Sequence, residues 1–309
     1  MVRHHVGLFF KGVAMGAADV VPGVSGGTIA FITGIYEQLI TALSALSPAA
    51  LRVLYQRGPA AFWRHVHGTF LCVLVSGIIF GVATLARLVN HLLAFYPLPL
   101  WGFFFGLIIA SVVFVWRQAP VRGAPSWFAL VLGAGAMLAL VFMPTVQLQA
   151  SLPVVFVSGM VAICAMILPG VSGSFILLML GVYPEILGAV ARFDVLVLLV
   201  FVAGCATGLL SFSRLLQWLL GHYHRLTLAV LTGLLIGSLA AVWPWRVMMR
   251  QFSTTGDPER VLVATEVLSP WLYAERVGEP QLLLVVCAAA VGLGLVFMLE
   301  TSAARFQRA

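Results

Sequence analysis

Several stretches of this chain are apolar at every position, so that any helix wound through them is hydrophobic all round. They cover residues 70–86, 98–116, 126–143, 152–168, 193–213, 226–243 and 281–299, each near the ~20 residues that carry a helix across a bilayer. A membrane β-barrel would alternate polar and apolar positions in short segments, whereas Leu, Val, Ala, Phe and Gly run here without alternation. The expected fold class is therefore an all-α integral membrane protein. Composition points the same way: 62% of the 309 residues are hydrophobic and 9% are charged, against about 25% charged in a soluble domain.

The chain also matches itself. Pro22-Gly-Val-Ser-Gly26 recurs as Pro169-Gly-Val-Ser-Gly173, an offset of 147 that Gly34/Gly181 and Tyr36/Tyr183 extend. Further on the offset becomes 127, in Gly77/Gly204, Gly81/Gly208, Arg87/Arg214, Tyr96/Tyr223, Gly106/Gly233 and Trp116/Trp243. A polar stretch from about 44 to 67 accounts for the difference. This predicts one membrane domain with a first repeat at about 7–117, a linking helix at 125–143, a second repeat at about 154–246, an outward loop at 246–280 and a final helix at 281–299.

A straight helix over residues 7–40 would be about 51 Å long, too long for a hydrocarbon core of about 30 Å. Pro22-Gly23 and Gly26-Gly27 break it in the middle, leaving two arms of about 14 residues. Each repeat is thus expected to open with a re-entrant helical hairpin, at 7–40 and at 152–190. About six spans follow, near 70–93, 98–117, 125–143, 193–219, 226–245 and 281–299. Three spans separate the hairpins, so the repeats enter from opposite faces, as in many secondary transporters. The N-terminus starts like a signal peptide, but Lys11 and Asp19 interrupt it and it has its echo at 152–190, so it is expected in the mature protein.

The net charge of +7 comes from 17 basic residues, 16 of them Arg, lying mostly between the apolar runs. They read as topology signals, not as a nucleic-acid surface. Ten on one face against five on the other (Arg192, Arg246, Arg250, Arg260 and Arg276) put both termini in the cytoplasm. Cys72, Cys164, Cys205 and Cys287 sit singly in apolar segments, which argues against disulfides or zinc. The His65/His67 and His222/His224 pairs lack a neighbouring Cys or acid, so no metal and no cofactor is expected.

Chemistry is expected at the broken hairpins. A helix restarting after a glycine turn aims unpaired N–H groups and a positive dipole end into the break, which suits a phosphate. Ser25, Gly26, Gly27 and Thr28 in the first tip and Ser172, Gly173 and Ser174 in the second are the candidate phosphate-binding residues. The alternative for these small residues is a tight helix crossing. Arg87 and Arg214 lie at equivalent positions inside apolar spans, at a cost of at least ~2.5 kcal/mol each, and a guanidinium is a bidentate phosphate partner. Asp19, Glu37 and Glu185 are candidate proton-coupling groups.

The segment Gly16-Ala-Ala-Asp-Val-Val-Pro-Gly-Val-Ser-Gly-Gly-Thr28, its echo Leu168-Pro-Gly-Val-Ser-Gly-Ser174, and the Tyr36-Glu37 and Tyr183-Pro-Glu185 endings resemble the bacterial DUF368 family, which includes the PopT-type polyprenyl-phosphate transporters. The likeness runs over about residues 7–300. It implies translocation of undecaprenyl phosphate, the carrier lipid of cell-wall synthesis, from the outer to the inner leaflet of the plasma membrane. The second motif reads PGVSGS and lacks an acid equivalent to Asp19. Two other readings stay open: a small-anion transporter or channel using the same helix ends, and a membrane lipid phosphatase, which would need a Ser-Gly-His motif that the chain does not have.

Overall fold

The structure is a computed structural model that describes residues 2–21, 24–118, 121–143, 145, 148–149, 151–252 and 261–308, the side chains of 2–4, 48, 118, 248–252, 261–265 and 299–308 excepted. It is an all-α membrane protein with one small hairpin of strands. The first arm is α1 (Val2–Asp19). Pro22 and Gly23 of the first motif lie outside the described residues, and helix resumes as α2 (Gly26–Ile32) and α3 (Tyr36–Ala45). The polar stretch then folds into two short helices, α4 (Pro48–Arg57) and α5 (Pro59–His65), each with proline in its first turn. Three long helices follow: α6 (Gly68–Phe95), α7 (Pro97–Gln118) and α8 (Ala124–Phe142).

The second half runs through elements of similar length in the same order: α9 (Leu152–Ile167), α10 (Gly173–Met179), α11 (Tyr183–Arg192), α12 (Val195–His222) and α13 (His224–Ser238). The returning arm of each hairpin is not the single helix expected from the sequence. It breaks at Gly34 in one half and at Gly181 in the other, both at φ +71°, a left-handed turn that glycine adopts without a Cβ penalty. The second break bends α10 from α11 by 108°.

Among the described residues four helices are long and apolar enough to cross a membrane, α6, α7, α8 and α12, or up to six if the bent pairs α3 with α4 and α10 with α11 each count as one span. The expected span at 226–245 is cut short, because α13 ends at Ser238. There Leu239 and Ala240 donate to carbonyls only three residues back, at 3.2 Å each, which tightens the last turn. Pro244 then prevents the helix from resuming. The segment expected as an outward loop instead pairs β1 (Arg246–Phe252) antiparallel to β2 (Val261–Val267), with Arg246 opposite Val267 and Phe252 opposite Val261. The β-branched run Val261-Leu-Val-Ala-Thr-Glu-Val267 carries that preference. A short α14 (Pro270–Arg276) leads into α15 (Leu282–Arg308), whose apolar part is Leu282–Met298.

Glycine sets the helix crossings. Gly77 and Gly81 of α6 sit so close to α1 that a Cβ would lie about 2.2–2.3 Å from the carbonyls of Phe9 and Val13. Gly204 and Gly208 of α12 sit in the same way on α9, at 2.1 and 2.4 Å from the carbonyls of Phe156 and Met160. The four glycines match at an offset of 127 and the four carbonyls at 147. A second pair of crossings is exchanged between the halves. Gly106 of α7 meets α15 at Ala289, while Gly233 of α13 meets α8 at Leu130. The linking helix therefore packs on the second half and the final helix on the first.

On one end of the bundle, Trp243 Nε1 donates to Leu268 O at 2.9 Å and Trp245 Nε1 to Pro280 O at 2.8 Å, fastening the strand hairpin to the helices. Arg246, beyond the end of α13, stacks 4.1 Å over the Trp101 ring and donates to Ala241 O. Burial lowers its guanidinium to about 10, so it stays charged at neutral pH.

Candidate functional site

The described residues of the two motif turns meet one another, and they meet through hydrogen bonds within the protein. Ser25 caps α2: its Oγ accepts from Gly27 N–H at 3.0 Å and donates to Met166 O, at the end of α9, at 2.9 Å. Thr28 Oγ1 accepts from Gly170 N–H at 2.8 Å, so a hydroxyl of the first turn holds the backbone of the second. Gly27 allows this approach, since a Cβ there would lie 2.7 Å from Ile167 O. Asp19 Oδ1 accepts from Gly26 N–H at 2.7 Å, placing a carboxylate at the N-terminus of α2, where the helix dipole favours it.

Each residue that the sequence assigns to a phosphate in the first turn thus has a hydrogen-bond partner within the protein, Ser25, Gly26 and Gly27 as donors and Thr28 as an acceptor. Ser25 and Thr28 are fully buried, so their hydroxyls could not stay unpaired without cost. In the second turn, Ser172 Oγ and Ser174 Oγ lie 2.9 Å from one another, and Gly173 packs on α9, where a Cβ would come within 2.8 Å of Ala162 O. In this conformation the paired turns form a joint between the halves. Matching the two copies in sequence does not reveal it, because a repeated motif looks the same whether its copies flank a ligand or bond to each other.

Arg87 and Arg214 do not converge on the turns; both are exposed. Arg214 Nη2 donates to Leu46 O, the carbonyl that ends α3, at 3.4 Å. The acids separate as well. Glu37 Oε1 lies 2.9 Å from His224 Nε2, joining the start of α3 to the start of α13, while Glu185 pairs with Arg192 on its own helix at 3.2 Å. Of the three, only Asp19 reaches the turns. Among the described residues no group of three or more His, Cys, Asp or Glu could hold a metal ion.

The space left between helices lies beside α2. A cavity of about 510 Å³ is bounded by α1, α2, α6, α7 and α15. Its lining is apolar apart from Thr33 and Tyr96: Ala14 and Ala18 from α1, Leu85, Val89 and Leu92 along one face of α6, and Phe103 and Leu107 from α7 are typical. The Thr33 hydroxyl is already bonded to Ile29 O at 2.8 Å.

At the Thr33 edge, Lys11 Nζ donates to Thr33 O at 2.7 Å. Lys11 is the single lysine of the chain and lies one helical turn before Ala14 on α1. It is half-buried, and one hydrogen bond leaves two of its three ammonium donors for other groups. In the sequence Lys11 interrupts an apolar stretch, and the cost of a charge within a membrane arm is the signal that marks such a residue as a candidate. Two buried hydroxyls, Tyr36 on α3 and Ser213 on α12, have no hydrogen-bond partner among the described residues.

Comparison with known proteins gives a consistent result. The model of a family described as undecaprenyl phosphate translocase-like matches residues 15–257. A polyprenyl-phosphate transporter of Vibrio cholerae is 43% identical over 297 residues, covering 94% of this chain and 96% of that protein. A polyprenyl-phosphate transporter of Staphylococcus aureus is 34% identical over 252 residues, covering 76% and 84%. No solved structure matches.

Proposed function

The chain belongs to the undecaprenyl phosphate translocase-like family, and from that premise we propose that it carries a polyprenyl phosphate across the bacterial plasma membrane, from the outer to the inner leaflet. The observation that supports this best is the cavity beside α2. An anion path would need polar groups along its walls, whereas this lining offers one committed hydroxyl and one tyrosine to an otherwise hydrocarbon space. Such a space fits part of an isoprenoid chain, and its size is within the ~300–1,000 Å³ of ligand sites.

Lys11, at the edge of the cavity, supplies the charge that a phosphate end requires. An ammonium group binds phosphate as a compact point charge, and an anionic head would add charge compensation to the carbonyl contact that Lys11 has with Thr33 in this membrane arm. The interlocked turns act as the joint about which the halves move, and the two series of elements form inverted repeats that permit alternating access. Both termini face the cytoplasm, in line with the ten-to-five distribution of basic residues.

The test is flux in proteoliposomes with fluorescent polyprenyl phosphate, read by quenching from one side. Wild-type protein moves the lipid, and Lys11→Gln slows it at least about tenfold, the loss of one charge-assisted contact, while Lys11→Arg keeps part of the rate. Equal rates for wild type and Lys11→Gln remove Lys11 from the site. Release of inorganic phosphate from the lipid would make the protein a phosphatase instead.

A further inference from the structure

Positions that match between the two halves are not in matching surroundings. In the first half, α3 lies along the C-terminal part of α12: Ile40 of α3 is 1% exposed and shares a core with Leu216 and Leu220. The seam is fastened at both ends, by Glu37 with His224 and by Arg214 on Leu46 O. In the second half, the counterpart of α3 is α11, and the counterpart of that face of α12 is the C-terminal part of α6. There α11 packs on α10 and α12 and makes no comparable contact with α6 among the described residues. Leu187, the match of Ile40 at an offset of 147, is 51% exposed, and Phe193, the match of Leu46, is 82% exposed. The α6 face that α11 would cover, with Leu85, Val89 and Leu92, lines the cavity.

We propose that this structure is one of two exchanging states, and that in the other α11 docks along α6 and fills the cavity while α3 leaves α12. Arg87, exposed in this state, then caps the carbonyl of Phe193 as Arg214 caps that of Leu46. The pair of arginines serves as alternating latches, one engaged in each state. This proposal rests on the transport reading for its purpose: it is the step that expels an isoprenoid chain from its cavity. Tyr36 on α3 and Ser213 on α12 bury hydroxyls without hydrogen-bond partners among the described residues, a cost carried by the state in which α3 lies on α12. The bends at Gly34 and Gly181 give each short helix an independent pivot.

The experiment uses full-length protein in nanodiscs with the four native cysteines replaced by alanine. One version carries Leu46→Cys with Arg214→Cys, and another Arg87→Cys with Phe193→Cys; each is treated with a short bifunctional thiol reagent, and linked peptides are read by mass spectrometry. The first pair links in the state seen here. The second links in the exchanged state, and polyprenyl phosphate slows that linkage about fivefold or more by occupying the cavity. Leu92→Cys with Leu187→Cys reports the same closure and serves if the arginine variant does not fold. If both second-state pairs take up monofunctional reagent and neither forms a link over hours, the exchange is overturned. Lipid flux is measured in parallel on the cysteine-free protein. Linkage without flux keeps the exchange and removes the transport reading, and flux without linkage does the reverse.

Discussion

Thr28→Val separates the two roles that a hydroxyl in the first turn could have. The two side chains have nearly the same shape, so the substitution deletes an acceptor and little else. In the structure Thr28 Oγ1 is the partner of Gly170 N–H at 2.8 Å, and the group is fully buried. Without it that amide has no acceptor, at a cost of ~1–3 kcal/mol. At ~2–4 °C per kcal/mol, the melting temperature should fall by roughly 2–12 °C in the absence of any lipid substrate. Thr28→Ser keeps the oxygen and should restore most of the loss. The measurement is tryptophan fluorescence against temperature on detergent-solubilised protein. If Thr28→Val melts with the wild type but binds polyprenyl phosphate more weakly, the joint is refuted and the hydroxyl belongs to a ligand site.

Other outcomes follow from the same contacts. Gly77→Ala and Gly204→Ala place a methyl group about 2.1–2.2 Å from a facing carbonyl and should each destabilise by ~1–3 kcal/mol through overpacking. Gly7→Ala, with open space around it, should be neutral or gain up to ~1 kcal/mol of helix propensity; thermal scans of the three variants make the comparison, and three equal melting temperatures would discard the crossings. Asp19→Ala removes the cap on Gly26 N–H and should cost ~0.5–2 kcal/mol, with Asp19→Asn between it and wild type in the same scan. Trp245→Phe keeps an aromatic but smaller side chain and deletes the donor to Pro280 O, lowering stability by at least ~0.5–1.5 kcal/mol, read as a melting shift that Trp218→Phe, far along α12, should not reproduce.

The hydrophobic pattern alone determined that the chain is helical and lives in a membrane, because a bilayer core leaves backbone polar groups no partners outside a helix or a closed barrel. Self-similarity supplied the breaks at Pro22 and Pro169 and the matched glycines, since glycine positions leave a mark that survives divergence in the apolar residues around them. What the pattern could not carry was pairing. Ser25 and Thr28 look like open donors in a string of letters, and only the fold brings Met166 O and Gly170 N–H against them. Arg87 and Arg214 are equivalent in sequence and both exposed, yet only Arg214 holds a helix end among the described residues, because an asymmetric state is a property of packing and not of composition. Lys11 needed the cavity beside it to acquire meaning. The strands at 246–252 and 261–267 fall in what the sequence reads as an outward loop, since their pairing depends on contacts that a linear pattern does not show. Local chemistry is written residue by residue, whereas which groups face each other depends on contacts more than a hundred residues apart, and those the tertiary structure decided.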